Sequence, residues 1–293
     1  MSADREVIVF SLPFSVLSVS GQDHISFLHS ILSQDIAGMQ TGEWRETALL
    51  SATSHVMALM TAIKTENSIL LLSGAGQAEL ISKKLARFII TEDVQTQDIT
   101  TEWQLLEVWG PQRESFLKQL SPAAQIGRQK HLKCTRSLLP AAEKIPAETV
   151  LSSESTREML RIENGMLAYG KDINEKIMLS ETRLEKIAAS ETKGCYPGQE
   201  VVAKIETYQR LNRCFVKLIW DSASDKINLP AEGSVILDIE NGAEIGCLTS
   251  RTYSPFLKKI IGLGWLKRGF FEKPIKVTVK SETNITAETS ALA

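Results

Sequence analysis

Cysteine is scarce and scattered in this chain: Cys134, Cys195, Cys214 and Cys247 are the only four among 293 residues, and no two form a C-x-x-C pair. Such spacing argues against a zinc site or a four-cysteine cluster site built from one local segment, so no stably bound metal is expected. Histidine is limited to His24, His29, His55 and His131. His24 and His29 are five apart on a predicted helix, not the four that aligns two ligands, and read as surface or second-layer residues. An excess of charge of one sign is also missing. With 33 Lys and Arg against 35 Asp and Glu, the net charge of -2 sets up no global field toward nucleic acid or an anionic membrane. Neither is expected as a partner, and any anion site must be local. Long hydrophobic runs are lacking at the start as well: Met1 to Glu6 is polar and the next apolar stretch is broken by Pro13. Neither a signal peptide nor a membrane span is indicated, and the expected location is cytoplasmic.

What is present is a composition that buries a core. At 43% hydrophobic and 23% charged, a chain of this length reads as an ordinary globular protein of two or three folding units. Val7 to Val19 reads as strands. Ser20 to Asp23 offers a capping-box-like start, and Ile25, Leu28, Ile31, Leu32 and Ile36 recur at helical spacing until Gly38. Extended runs follow at 47–53, 56–65 and 68–73, then a helix with Ala78, Ile81, Leu85 and Phe88 on one face, then a strand from Val94 to Ile99. The pattern Val19-x-Gly21-x4-Ser26-Phe27-Leu28 repeats as Val108-x-Gly110-x4-Ser115-Phe116-Leu117, an offset that suggests a duplicated α+β unit. Residues 122–150 are poorly periodic, and the basic cluster Arg128 to Lys133 reads as a solvated face. Ser155 to Glu158 resembles a capping box for a helix through Ile162 that Gly165 ends. From Arg213 onward, short β-rich runs separated by turn signals, Asn241-Gly242 the strongest, predict a small all-β barrel or sandwich with a fraying tail from Glu282.

Two stretches carry chemistry. Lys193-Gly194-Cys195-Tyr196-Pro197-Gly198-Gln199-Glu200 gathers a thiol, an amine, a carboxylate, two glycines and a proline into eight residues. Pro197-Gly198 fits the central pair of a type II turn, and Tyr196 before proline is extended. A short helix follows from Gln199. Read from the residues, Cys195 is either a nucleophile or soft ligand activated by Lys193 and a helix N-terminus, or a small buried residue in a tight turn. The second stretch is Arg161-Ile-Glu163-x-Gly165-x4-Gly170-x-Asp172, where two glycines let charged side chains and Tyr169 come together on an irregular loop. A carboxylate beside an aromatic suits a flat heterocycle with N–H donors, and equally suits a salt-bridged turn.

The run from Lys193 to Glu200, with Lys204 four positions on, resembles the signature of the YgfZ-type family, tetrahydrofolate-binding proteins related to the glycine-cleavage T-protein and linked to iron–sulfur cluster assembly and repair. Similarity extends to Gly21, Asp23, Phe27 and Leu28, to Ser33-Gln34-Asp35, to the Arg-x-Glu-x-Gly motif at Arg161 to Gly165, and to the barrel segments 246–255 and 261–265. The resemblance implies an α+β fold: two intertwined α+β (ferredoxin-like) domains over residues 1–210, plus a C-terminal β-barrel over 211–293, in a three-domain ring around a central channel that holds folate. It implies that Glu163 binds the pterin ring of tetrahydrofolate or a one-carbon derivative, with Tyr169 as a wall. Lys193, Lys204 and Arg161 then receive the folate glutamate carboxylates, Cys195 is the reactive group, and Gly194, Tyr196, Pro197, Gly198, Gln199 and Glu200 form the motif loop. The implied partners are folate and iron–sulfur assembly proteins or client enzymes. Two departures stand out. Ser54-His55 replaces a Gly-Arg or Gly-Lys pair, and Leu59 or a neighbouring methionine falls where the catalytic aspartate of the aminomethyltransferases would be. Aminomethyl transfer needs a carboxylate at the reacting nitrogen, which leucine cannot supply. A folate-dependent aminomethyltransferase or demethylase, and a noncatalytic interaction scaffold, are the alternatives.

Overall fold

The computed structural model describes residues 7–128, 132–147, 149–208, 210–220, 230–281 and 284–292. These fall into two compact units, one of residues 7–153 and 184–199, the other of 154–183 and 200–292.

The first unit contains β1 (Ile8–Leu12), β2 (Ser15–Ser20), α1 (His24–Ile31), β3 (Trp44–Leu50), β4 (Val56–Lys64), β5 (Ile69–Ser73), α2 (Ala78–Leu85), β6 (Gln95–Asp98), β7 (Trp103–Trp109), α3 (Arg113–Leu117), β8 (Gln125–Gly127) and β9 (Thr135–Pro140). They form two antiparallel sheets, ordered β3-β4-β5-β2-β6 and β1-β7-β9-β8. Pro13 separates β1 from β2, and β1 crosses to pair with β7, about a hundred residues later, which intertwines the two halves. The period-2 rule explains the near-continuous apolar run of β5. Ile69 and Leu71 face the core under α1 and α2, while Leu70 and Leu72 face a second cluster shared with Leu105 and Leu138 of the other sheet. The sequence repeat corresponds to two copies of strand, turn and helix. Gly21 (φ +110) and Gly110 (φ +101) make the turns after β2 and β7, a backbone region that suits glycine, and Phe27-Leu28 and Phe116-Leu117 are buried on the helices that follow.

The helix expected to run to Gly38 is shorter. It ends at Ile31, because Leu32 turns extended and bridges to Leu49 of β3. Ile36 is still fully buried, so the apolar spacing that suggested more helix records the packing of an irregular segment.

The second unit begins with α4 (Glu154–Glu163). That helix starts one residue before the expected cap, so Ser155 lies within its first turn. A short α5 (Glu185–Ala188) belongs to the first unit, and α6 (Gln199–Tyr208) follows the motif turn. Strands β10 (Arg213–Trp220), β11 (Val235–Asp238), β12 (Glu244–Ser254), β13 (Lys259–Lys267), β14 (Lys276–Val279) and β15 (Ile285–Ala291) close a barrel in the order β10-β13-β12-β11-β14-β15. The α+β fold with a C-terminal barrel is as expected. The fraying tail is not: β15 pairs with both β14 and β10 and completes the closure. Ala287 and Thr289 are buried and Thr286 and Glu288 exposed, a correct alternation that small and hydroxylated side chains hide from a search for apolar runs. The basic cluster near residue 128 lies partly outside the described residues. Among the described residues no helix is long and apolar enough to cross a membrane.

Closure by β15 predicts that the amides of Glu288 and Ser290, which face β10, exchange as slowly as those of Lys217 and Ile219 opposite them in the ladder. Hydrogen exchange read by mass spectrometry or NMR checks this, and exchange at the rate of an unstructured peptide would contradict it.

Candidate functional site

In the first unit, the Lys193 side chain is buried and its ammonium donates to the backbone carbonyls of His29, Leu32 and Gln34, at and just beyond the end of α1. A helix leaves carbonyls without partners at its C-terminus and concentrates negative charge there, so a buried cation both satisfies and neutralises that end. Burial pushes the Lys193 ammonium down to about 8, with Asp35 opposing the shift, so it remains largely protonated at neutral pH. Burial and then Lys193 also push His29 below its usual value against Asp35, and His29 Nδ1 accepts the Ala37 N–H. Around this anchor, Ser33 Oγ donates to Ala188 O, Gln34 Nε2 to Ile187 O, and Ser190 N–H to Ser33 O.

The turn that follows is closed by the Gln199 N–H on Tyr196 O at 3.2 Å, with Gly198 at φ +81 as a type II turn requires. Gly198 also lies flat against the β3–β4 connection. A Cβ there would sit 2.6 Å from Ser51 O and 3.0 Å from Ser54 Cα. Ser54, the residue standing where a glycine was expected by resemblance, is itself at φ +65, fully buried, with its hydroxyl lacking a partner among the described residues. Between anchor and turn, Cys195 is exposed, which removes the reading of a buried packing residue. Tyr196 is buried, with Lys193 Nζ 5.1 Å from its ring centroid. Leu59 is half-buried on β4 opposite Ala48, and none of the nine residues of β4 carries a carboxylate.

In the second unit, Arg161 is buried on α4. Its guanidinium donates to Asp172 (2.6 Å), to both oxygens of Glu158, to the Met166 carbonyl and to Ser250 Oγ. Asp172, also buried, accepts in addition from Ala168 N–H, Thr249 Oγ1 and Ser250 Oγ. Burial alone would raise the Glu158 carboxyl, but hydrogen bonds from Arg161 and Lys171 outweigh it and hold Glu158 down to about 2. This network pins the 165–172 loop, which carries Tyr169, between α4 and β12. Tyr169 is half-buried and burial, with Glu175, pushes its phenol up to about 12.

Glu163 is the last residue of α4, an end where a helix disfavours negative charge. Lys217 Nζ donates to its backbone carbonyl at 2.5 Å, and Ser254 Oγ donates to its Oε1. No hydrogen bond reaches Oε2 among the described residues, so a half-buried carboxylate is held by one oxygen and open at the other. A carboxylate oxygen without a donor retains its capacity to accept a hydrogen bond. Lys204 is exposed and pairs with Glu200 at 2.5 Å, one turn apart on α6. Of the three cations expected to receive ligand carboxylates, then, Arg161 and Lys193 direct their hydrogen bonds into the protein and Lys204 shares a surface ion pair. Sequence reasoning assigned no role to Ser254, Ser250 or Lys217. The weak signal was a serine or lysine placed within an otherwise apolar strand pattern. Among the described residues no group of three or more His, Cys, Asp and Glu side chains gathers as a metal site.

Two consequences are measurable. Ser54→Gly should stabilise the protein by about 1 kcal/mol, through relief of the left-handed backbone and loss of an unpaired buried hydroxyl, read from the urea midpoint. Because the Glu158 carboxyl is depressed from 4.5 to about 2, its contribution to stability is present above the unfolded value and is lost as pH falls through that window. Glu158→Gln should therefore lower stability at neutral pH and flatten its decline between about pH 4.5 and 2, measured by urea unfolding across that range.

Residues 6–144 match the family described as GCVT N-terminal domain, and residues 213–292 match the glycine cleavage T-protein C-terminal barrel domain. The chain is 25% identical to the Arabidopsis thaliana protein described as "Putative transferase At1g60990, chloroplastic", over 90% of this chain and 66% of that one. It is 23% identical to the mitochondrial aminomethyltransferase of Dictyostelium discoideum, over 90% of this chain and 75% of that one. The crystal structure of glycine cleavage system aminomethyltransferase T from Bartonella henselae superposes with a TM-score of 0.83 at 20% identity, covering 98% of this chain and 85% of that one. A chain with this fold and these two matched regions carries both the N-terminal and the barrel domain of the glycine-cleavage T-protein family.

Proposed function

We propose that this protein binds tetrahydrofolate or a one-carbon derivative of it and serves iron–sulfur cluster assembly or repair, with Cys195 as the reactive group. The observation that carries the binding half is Glu163, a half-buried carboxylate placed against the helix dipole, fixed through Oε1 by Ser254 and open at Oε2. A group kept where it costs stability is a candidate for function. Its geometry suits the N–H donors of a pterin, and Tyr169, on the loop that follows, supplies an apolar wall with a polar tip. Bound folate supplies the nitrogens that carry a one-carbon unit. Arg161 and Lys193 act in this reading as positioning residues, one behind Glu163 and one behind Cys195, and Lys204 is left as the exposed cation for the folate glutamate tail.

The relatives named aminomethyltransferases favour a second reading, a folate-dependent transferase or demethylase. It is opposed by β4, where the resemblance sets Leu59 or a neighbouring methionine at the position of the catalytic aspartate and whose nine residues include no acid. The iron–sulfur reading rests on the Lys193 to Glu200 signature and on the exposure of Cys195 upon a rigid turn. Its partners are iron–sulfur assembly proteins or their clients, in the cytoplasm.

Calorimetry with tetrahydrofolate on the full chain tests this. Wild type should bind saturably, and Glu163→Gln should weaken binding roughly 10- to 100-fold, the range for losing a charged hydrogen-bond acceptor. Cys195→Ala should bind as wild type yet fail to support iron–sulfur enzyme activity in cells lacking the protein. Absence of saturable folate binding by the wild type would end the proposal.

A further inference from the structure

Ser254 ends β12, is fully buried, and holds two partners at once. Its hydroxyl donates its single proton to Glu163 Oε1 and accepts the Leu257 N–H at 3.0 Å. The turn that leads into β13 is thereby tied to the Glu163 carboxylate through one oxygen atom. That turn has an unusual surface. Phe256 is 69% exposed and Leu257 39% exposed, and the following Lys258 adopts φ +52, a region non-glycine residues seldom occupy. Two large apolar side chains at a strained, solvent-facing hairpin tip cost hydration free energy unless something covers them. The Leu257 amide and Glu163 Oε1 share the Ser254 hydroxyl, so the backbone of the tip is fastened to the carboxylate.

We infer that Ser254 is a positioning residue for Glu163 and that the Phe256–Leu257 tip is the apolar rim against which a flat heteroaromatic ring bound to Glu163 is laid. This rests on the reading of Glu163 as a folate ligand. The hydroxyl has only one proton to give. Donated to Oε1, it fixes the carboxylate's rotation and presents Oε2 to the ring's N–H groups, while the same oxygen, by accepting the Leu257 N–H, holds the tip beside the ligand. An aromatic side chain then gains stacking contact without any backbone movement, since the turn is already fastened.

The test is calorimetry of the full chain with 5-formyltetrahydrofolate, alongside a thermal melt of each variant. Ser254→Ala should lose about tenfold in affinity and Ser254→Thr, which keeps the hydroxyl, should restore most of it. Phe256→Ala, at an exposed position that leaves the melting temperature unchanged, should lose about five- to tenfold. If wild type binds, Glu163→Gln weakens binding, and both Ser254→Ala and Phe256→Ala bind as wild type, this inference is overturned while the folate reading stands. If Ser254→Ala and Ser254→Thr weaken binding equally, the hydroxyl is not the positioning group and the inference fails on that arm. No binding by the wild type overturns both.

Discussion

The buried ion pair between Arg161 and Asp172 is the constraint on which the second unit's candidate site depends. The Arg161 guanidinium donates to Asp172, to Glu158, to the Met166 carbonyl and to Ser250, and Asp172 accepts three further hydrogen bonds, from the loop and β12. Buried pairs of this kind add little net stability over well-packed apolar residues, because desolvation offsets the Coulomb attraction, but breaking one is severe. What the pair contributes here is geometry. It fixes the end of α4, the 165–172 loop and the 249–254 end of β12 in one frame, and Glu163, Tyr169 and Ser254 all stand on that frame. The Glu163 carboxylate thus stands on a frame held by buried hydrogen bonds.

The first unit repeats the device in different chemistry. Lys193, two residues before Cys195 just as Arg161 is two residues before Glu163, places its ammonium among the carbonyls that end α1. Beyond the thiol, Gly198 packs against the Ser51–Ser54 connection too closely for any side chain. Cys195 is exposed between two rigid attachments. In each unit a buried cation is engaged by the protein, Lys193 by backbone carbonyls and Arg161 by carboxylates, a carbonyl and a hydroxyl.

That pairing explains what the sequence disclosed and what it hid. The β5 run, the duplicated strand-glycine-helix pattern, the Pro197-Gly198 turn and the early barrel strands follow from local periodicity and turn preference, which are properties of neighbouring residues. The density of charge at Lys193 and Arg161 was equally visible, but its direction was not. Whether a cation faces solvent or a ring of carbonyls depends on segments such as His29 to Gln34, about 160 residues away. Ser254 was hidden for the same reason, since its partner lies 91 positions earlier. β15 was missed on a different count, because its inward residues, Ala287 and Thr289, lack the apolar bulk by which strands are recognised.

None of the nine residues of β4 is acidic, whereas the second unit holds the Glu163 carboxylate through Ser254. The central claim is that Glu163 Oε2 is the atom that receives the ligand ring. A crystal structure of the full chain with 5-formyltetrahydrofolate measures this directly: the ring's N–H groups are expected at hydrogen-bonding distance from Glu163 Oε2 with Ser254 still donating to Oε1, and a ring bound without contact to Glu163 would contradict the account.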